Sequence, residues 1–200
     1  MTDITLAILA GGEGSRMGKP KALLAIDQTP ILEFLLNRFA WTGPTLLVTA
    51  PGRQHPPGWN RFTAECTDPV PGLGPLRGIL TALEHAQTSI VIFATVDMPN
   101  ITPLQLDWIA EQIHHGRDTI GLMTRRIISG KEQIEPFPST FRITAADALR
   151  NRLERGSRSV NSLKDQPGFA VISAPADWPA STWINLNHPE EFDAFANRSI

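Results

Sequence analysis

Cys66 is the only cysteine in 200 residues, which excludes an internal disulfide and a cysteine-based zinc site. The net charge is −2, so there is no basic field to make nucleic acid the main partner. Five histidines are present without ligand spacing. His114 and His115 are adjacent, so on a helix they point about 100° apart and read as a solvated helix end. The opening Met1-Thr2-Asp3-Ile4 lacks the basic segment of a signal peptide. No apolar run approaches the roughly 20 residues that a membrane span needs. These absences lead us to expect a cytoplasmic protein with no membrane and no nucleic-acid partner. No Ser/His/Asp or Cys/His arrangement is evident, and Cys66 has no evident activator, so it reads as a packed thiol. There is no internal repeat, low-complexity tract or linker. The length suits a single well-buried domain over residues 1–200.

What the chain does have is concentrated in Leu6 to Leu24. An apolar run ends abruptly in a glycine loop, and the loop carries Arg16, Lys19 and Lys21 within six residues. Glycine admits backbone turns that a Cβ would block and lets a ligand approach main-chain N–H groups. N–H groups with cations beside them suit a polyphosphate. Two better-known glycine signatures do not fit. Counting back from Gly18-Lys19, a P-loop would begin at Glu13 and would put Pro20 where Ser or Thr should hold magnesium. A dinucleotide fingerprint accepts Gly12 and Gly14 but meets Met17 at its third position, with Gly18 one residue late.

Along the chain, strands alternate with helices. Strands are expected at Thr5–Leu9, Thr45–Thr49, Phe62–Cys66, Ser89–Val96, Thr119–Thr124 and Phe169–Ile172, with a further one around Trp183–Asn187. Helices are expected at Pro30–Ala40, from Leu76 to about Ala86, at Pro103–Gly116, at Ile143–Arg155 and from Pro189 onward, with a short one from Arg158 to Lys164. Arg125–Gln133 reads as a mobile polar loop. The alternation predicts an α/β fold, a three-layer α/β/α sandwich with a mainly parallel, Rossmann-like sheet. Asp97 follows the most apolar strand, at the edge where such sheets put their ligands. A strand over Trp183–Asn187 would put Asn185 and Asn187 on one face. Gly74-Pro75 opens a helix, a second place for close ligand approach.

Leu9-Ala10-Gly11-Gly12, Ser15-Arg16-Met17-Gly18 and Pro20-Lys21-Ala22-Leu23-Leu24 together resemble the signature loop of the nucleotidyltransferases, most closely that of the molybdenum cofactor guanylyltransferases. The resemblance runs from Leu6 to Phe192. It implies the nucleotide-diphospho-sugar transferase type of fold and transfer of GMP from GTP to a molybdopterin-type acceptor, with pyrophosphate released and Mg2+ as cofactor. By the same resemblance Asp97 is the magnesium ligand, and Arg16, Lys21 and Asp97 carry the chemistry. Leu9, Ala10, Gly11, Gly12, Asp68, Gly74 and Pro75 then border the nucleotide, with the N–H groups of Ala10, Gly11 and Gly12 cradling phosphate. Arg158, Asn185 and Asn187 face the acceptor or complete the metal shell. Other proteins of the cofactor pathway are expected partners, and the chain is expected to be a monomer or a weak homo-oligomer.

One departure bears on the base. The guanylyl family often has an Asn after its second strand, where this chain reads Thr49-Ala50-Pro51. A cytidylyl or sugar-phosphate nucleotidyltransferase, and a nucleotide-binding protein without turnover, therefore stay open as readings of the sequence.

Overall fold

A computed structural model describes residues 3–12 and 18–197. Its first strand, β1 (Ile4–Leu9), is buried along its whole length. A short ladder of β2 (Ala25–Ile26) and β3 (Thr29–Pro30) follows. Its turn residues Asp27 and Gln28 both have positive φ, as a two-residue type I′ hairpin requires. Next come α1 (Ile31–Phe39), β4 (Thr45–Thr49), β5 (Ala64–Thr67), α2 (Pro75–His85), β6 (Ile90–Thr95) and α3 (Pro103–Gln112). Then follow β7 (Gly121–Ile128), β8 (Lys131–Arg142), α4 (Ala146–Glu154), β9 (Phe169–Ser173) and α5 (Pro189–Ala196). Proline occupies the first turn of α2, α3 and α5, where its missing N–H costs nothing. Thr102 and Gln105 close a capping box on α3.

Seven strands form one sheet in the order β5-β4-β1-β6-β8-β7-β9. All neighbours are parallel except the two that involve β8, which runs against both β6 and β7. The registers divide the side chains between two helical layers. Leu9 pairs with Val48 and with Thr95, so these three share a face, and α2 packs there with α4 against it. Thr140 points the other way and donates to the Ile109 carbonyl of α3, which packs with α1. The fold is therefore the expected three-layer α/β/α sandwich with a mainly parallel sheet. Continuous apolar strands make this possible, because a sheet covered on both faces has no solvent side.

Four expectations need correction. Residues 125–133 are a hairpin rather than a loop: β7 runs on to Ile128, β8 starts at Lys131, and Ser129 and Gly130 turn between them with positive φ. Its outer pairs mostly set an apolar residue against a polar one, Arg125 with Ile134, Ile127 with Glu132 and Ile128 with Lys131, so no clean apolar alternation marks them, and backbone pairing carries the ladder. Trp183–Asn187 is not a strand. A 3-10 turn at Ala180–Trp183 leads into an extended segment with one backbone bond to the site edge, from Leu186 N to Asp97 O at 2.8 Å. The helix expected over Ile143–Arg155 starts as a 3-10 turn and becomes α-helical only at Ala146. The short helix after Arg158 is a 3-10 turn at Asn161–Asp165.

Candidate active site

The carboxyl ends of β1, β4, β5 and β6 converge on one edge of the sheet, and the loops that leave them enclose a cavity of about 380 Å³. Leu9, Gly11 and Gly12 form one wall. Ala50 and Pro51 after β4, and Asp68 after β5, form the next. Gly72, Leu73, Gly74 and Pro75 lead into α2 opposite, and Thr95, Val96, Asp97 and Lys21 close the end. Gly78 lets α2 come close under this loop: a Cβ there would sit 3.3 Å from the Leu9 side chain. A glycine inside a helix, otherwise a destabilising choice, thus sits where the helix meets Leu9 and Val48 of the sheet.

Polar contacts are densest where Lys21 meets Asp97. Lys21 Nζ donates to Asp97 Oδ2 at 2.9 Å and to Asn187 Oδ1 at 2.9 Å. The other Asp97 oxygen, Oδ1, accepts from Thr95 Oγ1 at 2.5 Å. Both carboxylate oxygens are thus held in place, and the ammonium occupies the side from which a second cation could approach. The pair is mostly enclosed, with side-chain exposures of 16% for Lys21 and 24% for Asp97. Asn187 is itself anchored. Its N–H, with that of His188, donates to Glu191 Oε2, at 2.7 and 3.0 Å. Those two N–H bonds hold the Glu191 carboxyl below its usual range.

Asp68 is the second carboxylate of the cavity. Its Oδ1 accepts from Thr81 Oγ1 at 2.6 Å, and its backbone N–H donates to Thr49 O at 2.9 Å. Burial pushes its pKa up, while the Thr81 bond and the Arg77 charge pull it back down. Burial likewise pushes the Cys66 thiol up to about 12, with the charges of Asp68 and Glu65 adding to the shift. A thiol so protonated is a packing group, as its sequence context implied.

Most of the residues expected at the site are gathered there: Leu9, Gly11, Gly12, Lys21, Asp68, Gly74, Pro75 and Asp97 all line the cavity. Arg16 lies outside the described residues. Ala10 departs from its expected role, because its N–H is used within the sheet, donating to Val48 O at 2.8 Å. Asn185 and Asn187 do not act as a pair. Asn187 reaches Lys21, whereas Asn185 Nδ2 turns back to the Trp183 carbonyl at 3.4 Å. The segment lacks the strand periodicity that would have aligned them. Arg158 is exposed, and its Nη1 donates to Gly72 O at 3.1 Å, which ties it to the loop before α2.

Three residues that sequence reasoning passed over hold the site residues in place. Thr95 lies two positions before Asp97, so strand periodicity could have found it. Glu191 is the third residue of a helix begun by His188-Pro189, a recognisable capping position. Thr81 had no local signal, since only the packing of α2 beside β5 brings it to Asp68. Among the described residues no group of three His, Cys, Asp or Glu side chains could hold a metal. Asp97 could contribute one ligand. That suits Mg2+, which is often bound through one or two carboxylates together with substrate phosphates and water.

A loop of glycines facing a Lys–Asp pair across a cavity at the carboxyl edge of a parallel sheet is an arrangement for phosphorylated ligands. Residues 6–167 match the model of the MobA-like NTP transferase domain. The chain belongs to the MobA-like NTP transferase family. It is 28% identical over 196 residues to a molybdenum cofactor guanylyltransferase of Vibrio parahaemolyticus, covering 97% of this chain and 95% of that protein. It is 30% identical over 203 residues to a probable molybdenum cofactor guanylyltransferase of Peptoclostridium acidaminophilum, covering 94% and 86%. The fold of this MobA-like chain is shared with molybdopterin-guanine dinucleotide biosynthesis protein A from Archaeoglobus fulgidus, with a TM-score of 0.78 and 22% identity over 98% of both chains. It is shared too with 2-C-methyl-D-erythritol 4-phosphate cytidylyltransferase from Thermus thermophilus, with a TM-score of 0.71 and 15% identity over 96% and 97%. Family membership places the chain among the nucleotidyltransferases, whereas these structural likenesses bear on the fold alone.

Proposed function

We propose that this chain transfers GMP from GTP to a molybdopterin-type acceptor, releasing pyrophosphate, with Mg2+ as its cofactor. The observation that carries this reading is the Lys21 ammonium held between Asp97 and Asn187 beside the Gly11-Gly12 backbone. The choice of guanine and of acceptor draws on the guanylyltransferases that match nearly the whole chain.

The reaction brings an acceptor phosphate oxygen in line with the α-phosphorus of the triphosphate while pyrophosphate leaves. Two anions must meet, so the protein's task is mainly electrostatic. Gly11 and Gly12 line the cavity, and main-chain N–H groups there suit phosphate oxygens. Arg16, by its place in the loop sequence, is assigned to the β- or γ-phosphate. Lys21 neutralises charge at the α-phosphate as it builds in the transition state, and a triphosphate draws it from Asp97. Asp97 would be the residue to hold Mg2+, which would supply Lewis-acid stabilisation of the phosphate oxygens. Thr95 keeps the Asp97 carboxylate from rotating as Lys21 departs. Asn187, fixed through Glu191, keeps Lys21 on the acceptor side, while Arg158 and Asn185 are assigned to the outer edge of the acceptor site. We infer a single domain over residues 1–200 that acts in the cytoplasm as a monomer or weak homo-oligomer and works alongside other proteins of the cofactor pathway.

Calorimetric titration with GTP, CTP, ATP and UTP, each with and without Mg2+, tests the reading. Preference for GTP, strengthened by Mg2+, is the expected result. Preference for CTP keeps the roles of Lys21 and Asp97 but replaces the guanylyl product, an outcome that the missing Asn at Thr49-Ala50-Pro51 makes worth measuring. Binding of none of the four overturns the site.

A further inference from the structure

Behind Asp68, which lines the cavity, lies a chain of polar side chains that are not part of its lining. Glu84 Oε2 accepts from Arg77 Nη2 at 2.6 Å. Arg77 Nε donates to Thr81 Oγ1 at 3.0 Å, and Thr81 Oγ1 donates to Asp68 Oδ1 at 2.6 Å. Thr81 is fully buried. A hydroxyl has one proton. Because Arg77 already donates into the Thr81 oxygen, that proton is committed to Asp68. The Asp68 backbone is pinned as well, through its bond to Thr49 O. The Thr81 bond thus resists rotation of the carboxylate, and the backbone bond fixes the residue that carries it. Among the described residues its second oxygen, Oδ2, accepts no hydrogen bond. It lies toward the glycine loop, 3.7 Å from where a Cβ on Gly11 would stand.

We propose that Thr81, its proton aimed by Arg77, is the positioning residue that makes Asp68 select guanine; this rests on the guanylyl reading above. An ionised carboxylate with one oxygen fixed and one free offers acceptors only. Guanine is the common base whose pairing edge sets two donors side by side, the N1–H and the 2-amino group. Cytosine and adenine each put a ring-nitrogen acceptor beside their amino group, and uracil puts a carbonyl on either side of its N–H, so all three set a lone pair against the carboxylate. The device also explains how this chain selects a base without a side-chain donor at Ala50-Pro51. A site that commits a buried polar group to a substrate donor rejects analogues that lack the donor more strongly than an apolar pocket can.

The test titrates GTP and inosine triphosphate, which lacks the 2-amino group, into the wild type, Thr81→Val, Thr81→Ser and Arg77→Met. The wild type is expected to favour GTP over inosine triphosphate by at least about tenfold. Thr81→Val is expected to bring that ratio within about threefold, mainly by weakening GTP, and Thr81→Ser to restore it. Should Thr81→Val not fold, Arg77→Met frees the Thr81 proton from outside the core and is expected to lower the ratio too. An unchanged ratio in folded Thr81→Val or Arg77→Met overturns the proposal. Equal weakening of both nucleotides also overturns it, since that assigns Asp68 to the ribose. A wild type that prefers CTP removes the guanylyl reading itself, a result distinct from a GTP-selective wild type whose selectivity ignores Thr81.

Discussion

The two halves of the sheet are built by different rules. In the parallel half, β4, β1 and β6 are five or six residues long, almost wholly buried, and stop together at one edge. Each is followed by a residue of the candidate site: Ala50 after β4, the glycines after β1, Asp97 after β6. In the antiparallel half, β7 and β8 are 8 and 12 residues long, and burial fades toward their turn. Cations there are paired locally, Arg125 with Glu132 and Arg126 with the buried Glu135. Parallel strands need helical crossovers, which cover their faces and leave only the carboxyl ends open. The hairpin needs no crossover, and none of its residues lines the cavity. The difference assigns chemistry to the first half and shape to the second.

The sharpest way to break that division is at the Lys–Asp pair. Lys21→Ala and Asp97→Asn are each expected to cut turnover by at least about a hundredfold while thermal melting stays cooperative; near-normal turnover in either would return that residue to a structural role. The opposite result is expected in the antiparallel half. A Cβ on Gly121 would lie 2.5 Å from the Phe169 ring, in the edge-to-face cluster of Phe93, Phe141 and Phe169. Gly121→Ala should therefore cost about 1–3 kcal/mol of stability in denaturant unfolding and leave the affinity for GTP unchanged. A loss of affinity there would show that the two halves are coupled.

A smaller effect sharpens the comparison within the site. Burial raises the Asp68 pKa above its ordinary value of 3.8. The folded carboxyl thus holds its proton to higher pH than the unfolded one. Its contribution to stability is complete below the unfolded pKa and is lost as pH rises through the folded value. Asp68→Asn, which can still accept from Thr81, is expected to melt increasingly above the wild type as pH is raised from the acid range to neutrality, while losing GTP preference. A gap that shrinks with rising pH would reverse the assignment. The smallest effect belongs to the hairpin surface: Arg125→Ala removes an exposed pair and is expected to change stability by less than about 1 kcal/mol, with GTP affinity intact.

Much of this was legible in the chain itself. The buried strands, the proline-started helices and the glycine loop announce themselves by local pattern, so β4 matches its sequence expectation residue for residue and Lys21 and Asp97 were found before their contact was known. What escaped were features without a local signature. The hairpin over residues 125–133 was missed because two arginines and then two exposed isoleucines stand side by side in Arg125-Arg126-Ile127-Ile128, which leaves no period of two to read. The Asn185/Asn187 pair was misjudged because alternation holds only in a strand, and that segment is fixed by one bond to Asp97 O and by Glu191.

The sequence by itself determined the order of strands and helices, the family, and which cations and carboxylates were available for phosphate chemistry. The first follows from periodicity and turn chemistry acting over a few residues, the second from the resemblance of the first loop to a family signature, and the third from which residues stand in and after the strands. Only the tertiary structure decided the partners: Lys21 against Asp97 and Asn187 across 76 and 166 residues of chain, Ala10 spent in the sheet, and Thr81 aimed at Asp68. Such contacts arise when separate elements pack on a common core, and no local pattern records which side chains that packing brings within hydrogen-bond distance.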